Sequence, residues 1–220
     1  MHAEGWDVTS NPLGTLYNPF SIYQTVHAAL QDAEPPVFTA DNEWRCWWAN
    51  TTFRTPTEEG TRQLVRERLT TLRQALLEAT QLVVTLGTNV CYRLKDSGLI
   101  VTNCQRQPDC LFEEYRAPLD EVKAVLKSMV EELRAVNPEV KITFTVSPYR
   151  YRKYGLHGSQ LSKAVLLLAV DEVVSEHEDS CRYFPAYEIM MDELRDYSYY
   201  APDGLHPSPE AVEIIWKRFL

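Results

Sequence analysis

The sequence lacks any apolar run long enough to cross a membrane. The longest run, residues 164–170, has seven residues, whereas a membrane-spanning helix needs about 20. The first residues contain neither a basic patch nor an apolar stretch of signal-peptide length. Internal repeats and low-complexity segments are absent as well. These absences predict a soluble, cytoplasmic protein that has no membrane partner.

Positive charge is in short supply. Lys and Arg number 22 against 31 Asp and Glu, which gives a net charge of −9 at neutral pH. A surface of this sign repels phosphate backbones and anionic lipid headgroups. We therefore expect no nucleic-acid partner.

The five cysteines form no Cys-x-x-Cys pair. This spacing argues against a structural zinc site, and we expect no metal and no cofactor. An odd number of cysteines in a chain of 220 residues fits a reducing compartment better than a disulfide framework. A single disulfide stays open as an alternative.

The remaining composition is that of an ordinary globular protein. Apolar residues make up 45% and charged residues 24%, which excludes a disordered chain or a coiled coil. At about 150 residues per domain, the length favours a single domain covering residues 1–220.

Short apolar runs alternate with amphipathic stretches, which is the pattern of βαβ units around a parallel sheet. Two of these runs are rich in β-branched residues and end at a glycine or proline, so they predict buried strands at residues 81–86 and 140–146. Apolar residues at helical spacing predict five helices. The expected helices cover residues 61–78, 119–136, 159–175, 186–195 and 208–219. The predicted fold class is therefore α/β.

Two other segments have distinct patterns. Residues 91–94 and 99–102 flank a turn that contains Gly98, which predicts a β-hairpin. Residues 33–60 show no period and contain three prolines, which predicts a long loop of the kind that often carries function. Its aromatic side chains could stack on a sugar ring or an acyl chain, or they could fill the core or a lid. They are Trp44, Trp47 and Trp48.

The most informative local pattern is Asp203-x-x-His206, on a proline-flanked loop before the last predicted helix. A carboxylate three residues before a histidine can fix the imidazole tautomer while the other ring nitrogen faces a nucleophile. In the alternative interpretation, Asp203 is a turn residue and His206 merely precedes a helix cap at Ser208.

Three further residues are candidates for binding an oxyanion or the substrate. Gly87 and Asn89 follow a predicted parallel strand, at the sheet edge where ligands bind in α/β proteins. An Asn amide or a glycine N–H can donate to a developing oxyanion, and Gly14, between two Asn-Pro pairs, offers such an N–H. Each pattern alone is also that of an ordinary turn.

Longer stretches resemble the GSCFA family, a bacterial branch of the SGNH (GDSL-like) hydrolases. The resemblance implies a flavodoxin-like three-layer α/β/α sandwich and metal-free ester or acyl hydrolysis. Asp203 would orient His206 as general base, and Gly14 and Asn89 would stabilise the oxyanion. The stretches that carry the resemblance are residues 11–19, 85–88, 92–93, 144–148, 160–164 and 183–197.

The sequence departs from this family at three places. The Gly-Ser-Cys-Phe-Ala segment that ends the family's first strand and holds the serine nucleophile does not occur, because Met1 falls after its expected position. We expect either a fragment or a variant that lost catalysis. Gln105 and Tyr151 each stand where the family leads us to expect a histidine.

The missing segment also predicts a gap in the sheet, since the absent strand would be the first central one. Residues 82–86 should then lie at an exposed edge or pair with a strand near residues 6–8. The expected substrate is an O-acylated glycan or a small ester, and the alternative function is a non-catalytic binding or scaffold domain. The sequence leaves the oligomeric state open.

Overall fold

The computed structural model describes Gly5 and residues 7–220. Contacts divide the chain into two compact units. Unit 1 consists of Met1–Ala79, Val90–Arg116 and Ser128–Pro138, and unit 2 of Thr80–Asn89, Ala117–Lys127 and Glu139–Leu220. The single-domain organisation stays a prediction.

Helices and strands alternate along most of the chain. The helices are α1 (Pro19–Leu30), α2 (Glu58–Glu78), α3 (Leu119–Val136), α4 (Gly155–Glu176), α5 (Ala186–Glu188) and α6 (Pro209–Phe219). The strands are β1 (Val37–Ala40), β2 (Glu43–Cys46), β3 (Arg54–Thr55), β4 (Gln81–Leu86), β5 (Val90–Leu94), β6 (Ile100–Val101), β7 (Phe112–Arg116), β8 (Lys141–Val146) and β9 (Cys181–Phe184). In the described part of the chain, no helix is both long and apolar enough to span a membrane.

Unit 2 is built on a parallel sheet with strand order β4-β8-β9. Strand β8 supplies the centre of its core, where Ile142, Phe144 and Val146 are fully buried. Helix α4 packs on β8 and β9 and buries Leu166 and Val173. A parallel sheet flanked by helices confirms the predicted α/β class.

Strand β4 lies at the edge of this sheet, since only β8 pairs with it among the described residues. Val83 in its middle is 40% exposed. The prediction of an exposed edge is therefore confirmed. Of the alternative strand near residues 6–8, Trp6 lies outside the described residues, and Asp7 and Val8 are not in a strand.

The prediction of a long loop over residues 33–60 is wrong. This segment contains a three-stranded antiparallel sheet, β1-β2-β3, in unit 1. Asp41 and Asn42 both have positive φ, 52° and 59°, the conformation that reverses a chain tightly between two strands. Trp47 stacks on Phe38 with ring centroids 3.6 Å apart. This tryptophan therefore fills the core, which is one of the two roles expected for it.

The remaining predictions of secondary structure are largely confirmed. The hairpin at residues 91–102 is present, but β5 pairs on its other side with β7, which was not predicted. Helix α3 has the predicted bounds. Helix α2 begins three residues earlier than expected because the Thr57 side chain accepts a hydrogen bond from the N–H of Gly60. All five cysteines are free, so the alternative of a disulfide is not realised.

Candidate active site

A short, tightly tied loop carries Asp203 and His206 in unit 2. The N–H of Ala201 donates to the carbonyl of His206 at 2.8 Å, and the N–H of Ser208 donates to that of Tyr199 at 2.8 Å. Gly204, at the tip, has a φ of +67° that a side chain would strain. Ser208 then caps α6 by accepting from the N–H of Ala211. The spacing of the two residues is thus fixed by the backbone.

The carboxylate of Asp203 is held by three donors. Its Oδ1 accepts from the N–H of Leu205 at 2.8 Å and of His206 at 3.0 Å, and its Oδ2 lies 2.6 Å from Nδ1 of His206. The Leu205 N–H and the imidazole lower the pKa of Asp203 to about 2. An ionised carboxylate on Nδ1 favours the tautomer that leaves Nε2 free to accept a proton. The predicted hydrogen bond is confirmed.

Backbone and ring contacts place this loop at the carboxyl end of β8. The N–H of Arg150, four residues after the strand, donates to the carbonyl of Leu205 at 3.1 Å. The ring of Tyr149 lies against that of His206, with centroids 4.5 Å apart. The imidazole is 61% exposed, so Nε2 is accessible to a reactant.

Asn89 uses its donors within the protein. Its N–H donates to Oγ of Ser162 at 3.1 Å, and its Nδ2 donates to the carbonyl of Ala117 at 2.7 Å. The residue is 1% exposed. In this geometry Asn89 anchors the turn after β4, and the oxyanion role stays a prediction that requires its amide to turn outward.

Lys163 is a site residue that the sequence alone does not single out. It is 2% exposed, and its Nζ donates to the carbonyls of Gly87 at 2.5 Å and Ser147 at 2.7 Å. Burial lowers the pKa of Lys163 to about 7. Its one sequence signal is a lysine directly before the most apolar run of the chain.

Lys163 links the turn after β4 to the dyad of Asp203 and His206. Its Nζ lies 5.3 Å from the ring centroid of Tyr151, and Tyr151 meets Tyr149 edge to face at 4.8 Å. Tyr149 in turn contacts His206. Gly87 and His206 are therefore joined by a continuous series of contacts within unit 2.

Gly14 belongs to unit 1. Its φ is +94°, and a Cβ there would lie 2.3 Å from Nδ2 of Asn50, so only glycine fits. Its N–H donates to the carbonyl of Asn11 at 2.8 Å. An oxyanion role for this N–H stays a prediction, and that hydrogen bond would have to be released.

The described residues place no serine or cysteine in hydrogen-bond contact with Nε2 of His206; the imidazole's hydrogen bond is the one to Asp203. Ser147, the nearest serine along the chain to Tyr149, accepts from the N–H of Tyr149 at 3.2 Å. The described part of the chain thus shows a histidine oriented by a carboxylate, and their catalytic roles stay a prediction.

Comparison with known proteins finds a family and a curated relative. The model of the GSCFA family matches residues 1–219. A mouse (Mus musculus) protein described as "Isoamyl acetate-hydrolyzing esterase 1 homolog" is 27% identical over 112 residues, which is 47% of this chain and 45% of that protein. The matched region therefore spans less than half the length of this curated relative.

Proposed function

Because the chain belongs to the GSCFA family, whose model covers residues 1–219, we propose that it acts as an SGNH-type ester hydrolase with His206 as general base. The observation that carries the proposal is the 2.6 Å contact between Oδ2 of Asp203 and Nδ1 of His206, with the imidazole largely exposed. The similarity to a curated esterase homologue supports the same class of reaction.

The proposed reaction is a two-step acyl transfer. Nε2 of His206 takes the proton from a serine hydroxyl as its oxygen attacks the ester carbonyl, and the resulting imidazolium gives that proton to the leaving alcohol. Water then attacks the acyl-serine while His206 accepts its proton, and the imidazolium returns that proton to the serine oxygen as the carboxylic acid leaves. Asp203 stabilises the imidazolium in both steps. The N–H of Gly14 and the side-chain amide of Asn89 are the proposed oxyanion donors, and Gly87 is a proposed oxyanion- or substrate-binding residue.

The serine is the part of the proposal that the described residues do not supply. We propose that it comes from the Gly-Ser-Cys-Phe-Ala segment typical of the family, which does not occur in the 220 residues. The proposed substrate is an O-acylated glycan or a small ester. The name of the mouse relative refers to isoamyl acetate, which supports a small acetate ester as the first one to test.

The decisive experiment compares hydrolysis of p-nitrophenyl acetate by the 220-residue chain and by a version extended with the family's serine-bearing strand. Without its nucleophile, a serine hydrolase keeps only a residual rate enhancement over the reaction in water, roughly 10³ to 10⁴-fold by analogy with enzymes from which a triad residue has been removed. We expect slow turnover by the short chain and a large gain in the extended one. His206→Ala should abolish the gain, whereas His27→Ala, at an exposed histidine of unit 1, should not.

A non-catalytic binding domain is the second candidate. It is favoured by the engaged N–H groups of Gly14 and Asn89 and by the absence of a serine at His206 among the described residues. An extended chain that folds by circular dichroism yet hydrolyses neither acetyl nor longer acyl esters would support it. Fast turnover by the short chain would contradict both candidates as written, because it requires another nucleophile.

A further inference from the structure

Unit 1 contains a polar cleft of about 450 Å³, within the usual size range of small-molecule sites. Among the described residues no acidic side chain lines it, although acidic residues outnumber basic ones 31 to 22 in the chain. Its lining is formed by Thr15, Tyr17, Asn50, Thr51, Asn103, Cys104, Gln105 and Arg106. A cleft rich in donors on an acidic protein points to an anionic ligand.

One wall of the cleft is a strained but firmly fixed turn. Gln105 and Arg106 have φ values of +51° and +60°, a conformation that costs a residue with a side chain about 1–2 kcal/mol. Gln105 is 1% exposed, and its Nε2 donates to the carbonyls of Cys46 at 3.0 Å and Ala49 at 2.6 Å. Nη1 of Arg45 donates to the carbonyl of Gln105 at 2.9 Å. Strain that the surroundings hold in place is typical of functional sites.

The turn presents the positively charged side chain of Arg106. Arg106 is exposed, and no described carboxylate forms an ion pair with it. Asn50 also lines the cleft, and its Oδ1 accepts from the N–H of Thr52 at 3.0 Å, which fixes the amide. Nδ2 of Asn50 has no acceptor among the described residues and can donate to a ligand.

Hydroxyl and aromatic groups complete the cleft. Thr15 and Thr51 contribute side-chain hydroxyls, and Tyr17 is 54% exposed. A sugar ring stacks well on such an exposed aromatic face, and its hydroxyls match hydroxyl and amide partners. A guanidinium prefers a carboxylate, to which it can donate two parallel hydrogen bonds.

We propose that this cleft binds a hexuronate, a sugar that carries one carboxylate, either as the free acid or as a unit of a glycan. Arg106 would pair with the carboxylate, Asn50 would donate to a ring or hydroxyl oxygen, and Tyr17 would pack on the ring. The proposal goes beyond the ester-hydrolase function and stands on unit 1 alone, so its test does not use hydrolysis.

The test is a ¹H–¹⁵N NMR titration of the 220-residue chain with sodium glucuronate, glucose and sodium acetate. We expect glucuronate to shift the amides of residues 103–106 and of Asn50, with an affinity at least about tenfold above those of glucose and acetate. Equal binding of glucose would mean that the carboxylate is not recognised, and equal binding of acetate would mean that the sugar is not. Either result, or no shift at these residues, overturns the proposal.

Variants connect the shifts to the cleft. Arg106→Gln should weaken glucuronate binding by about tenfold, and Arg106→Gly should do the same while relieving the strained φ, which guards against loss by misfolding. Arg68→Gln, at an exposed arginine of α2, is the matched control and should bind normally. Unchanged binding by Arg106→Gly would overturn the proposal.

A comparison of a uronate tetramer with the monomer identifies the source of the ligand. Tighter binding of the tetramer would assign a glycan as the source, and equal affinity per site would assign the free acid.

Discussion

At the scale of single residues, Gly14 is the position where the backbone leaves no alternative. An added Cβ would meet the Asn50 side chain at 2.3 Å, and φ is +94°. We predict that Gly14→Ala lowers the free energy of unfolding by about 2–4 kcal/mol, since overpacking adds to the left-handed strain. Urea denaturation of the purified variant measures the loss.

Gly98→Ala is the matched control for this prediction. Gly98 also has a positive φ, +70°, but a Cβ there meets nothing within 4 Å. Gly98→Ala should therefore lower the free energy of unfolding only by the cost of the left-handed strain, about 1–2 kcal/mol. Equal losses in the two variants would show that the contact between Gly14 and Asn50 contributes nothing.

Lys163 gives a pH dependence with a definite sign. Burial lowers its pKa in the folded protein from 10.5 to about 7, so between these values the unfolded chain binds more protons than the folded one. Folding stability due to this residue therefore rises as the pH rises from about 7 to 10.5. The effect is at most on the order of 5 kcal/mol, and the carbonyls of Gly87 and Ser147 reduce it because they favour the ammonium.

The measurement compares the protein with Lys163→Met by chemical denaturation between pH 6 and 10. The variant is expected to be less stable at pH 9, because two buried carbonyls lose their donor at about 1–3 kcal/mol each. The difference between the two proteins should shrink toward pH 7. A difference that stays constant over this range would contradict a lowered pKa.

At the scale of elements, the β1–β2 hairpin depends on its two-residue turn. Asn42 has a φ of 59° and its partner position Asp41 a φ of 52°, and β-branched residues avoid this region. We predict that Asn42→Val destabilises the protein by about 1–2 kcal/mol, whereas Asn42→Gly keeps the turn and the stability. Thermal unfolding of both variants tests this, and identical melting temperatures would show that the turn does not limit the hairpin.

The same hairpin shows where sequence patterns stop being informative. Helix α3 was predicted to the residue because its apolar spacing and flanking prolines agree. Strands β1 and β2 have only four residues each, too few for a clear period, and their turn is Asp-Asn rather than the easily recognised Asn-Gly. Strand β7 was missed because its pairing with β5 joins distant segments.

In the candidate site, too, some contacts can be predicted from the sequence and others cannot. The contact between Asp203 and His206 follows from a spacing of three residues on one loop, so the sequence predicts it. The bonds of Lys163 to Gly87 and Ser147 join three separate elements. Packing alone creates such contacts, and no local pattern announces them.

At the scale of the whole molecule, paired carboxylates make the acidic chain sensitive to low pH. Several carboxylates have a lowered pKa because they accept hydrogen bonds from basic side chains or backbone N–H groups; they are Glu34, Glu176, Asp196, Asp203 and Glu213. Between the lowered pKa values of these groups and their ordinary values, the folded state therefore binds fewer protons than the unfolded state. Folding stability falls as the pH falls through this range. Protonation also leaves 22 Lys and Arg and five His to repel one another.

Glu176 allows this acid effect to be assigned to one group. Lys127 and Lys123 on α3 hold its pKa at about 2, with Oε1 2.9 Å from Nζ of Lys123 and Oε2 2.9 Å from Nζ of Lys127. The stability it contributes is present above its ordinary pKa of 4.5 and is lost as the pH falls from there toward 2.

Glu176→Gln should therefore be less stable than the unmodified chain at pH 6 and equally stable near pH 2. Glu178→Gln, at an exposed neighbour that forms no ion pair with a described residue, should give the same curve as the unmodified chain. Because the pairs of Glu176 lie on the surface, 1 M NaCl should shrink the difference at pH 6, and a difference that survives high salt would mean that the substitution acts through packing instead.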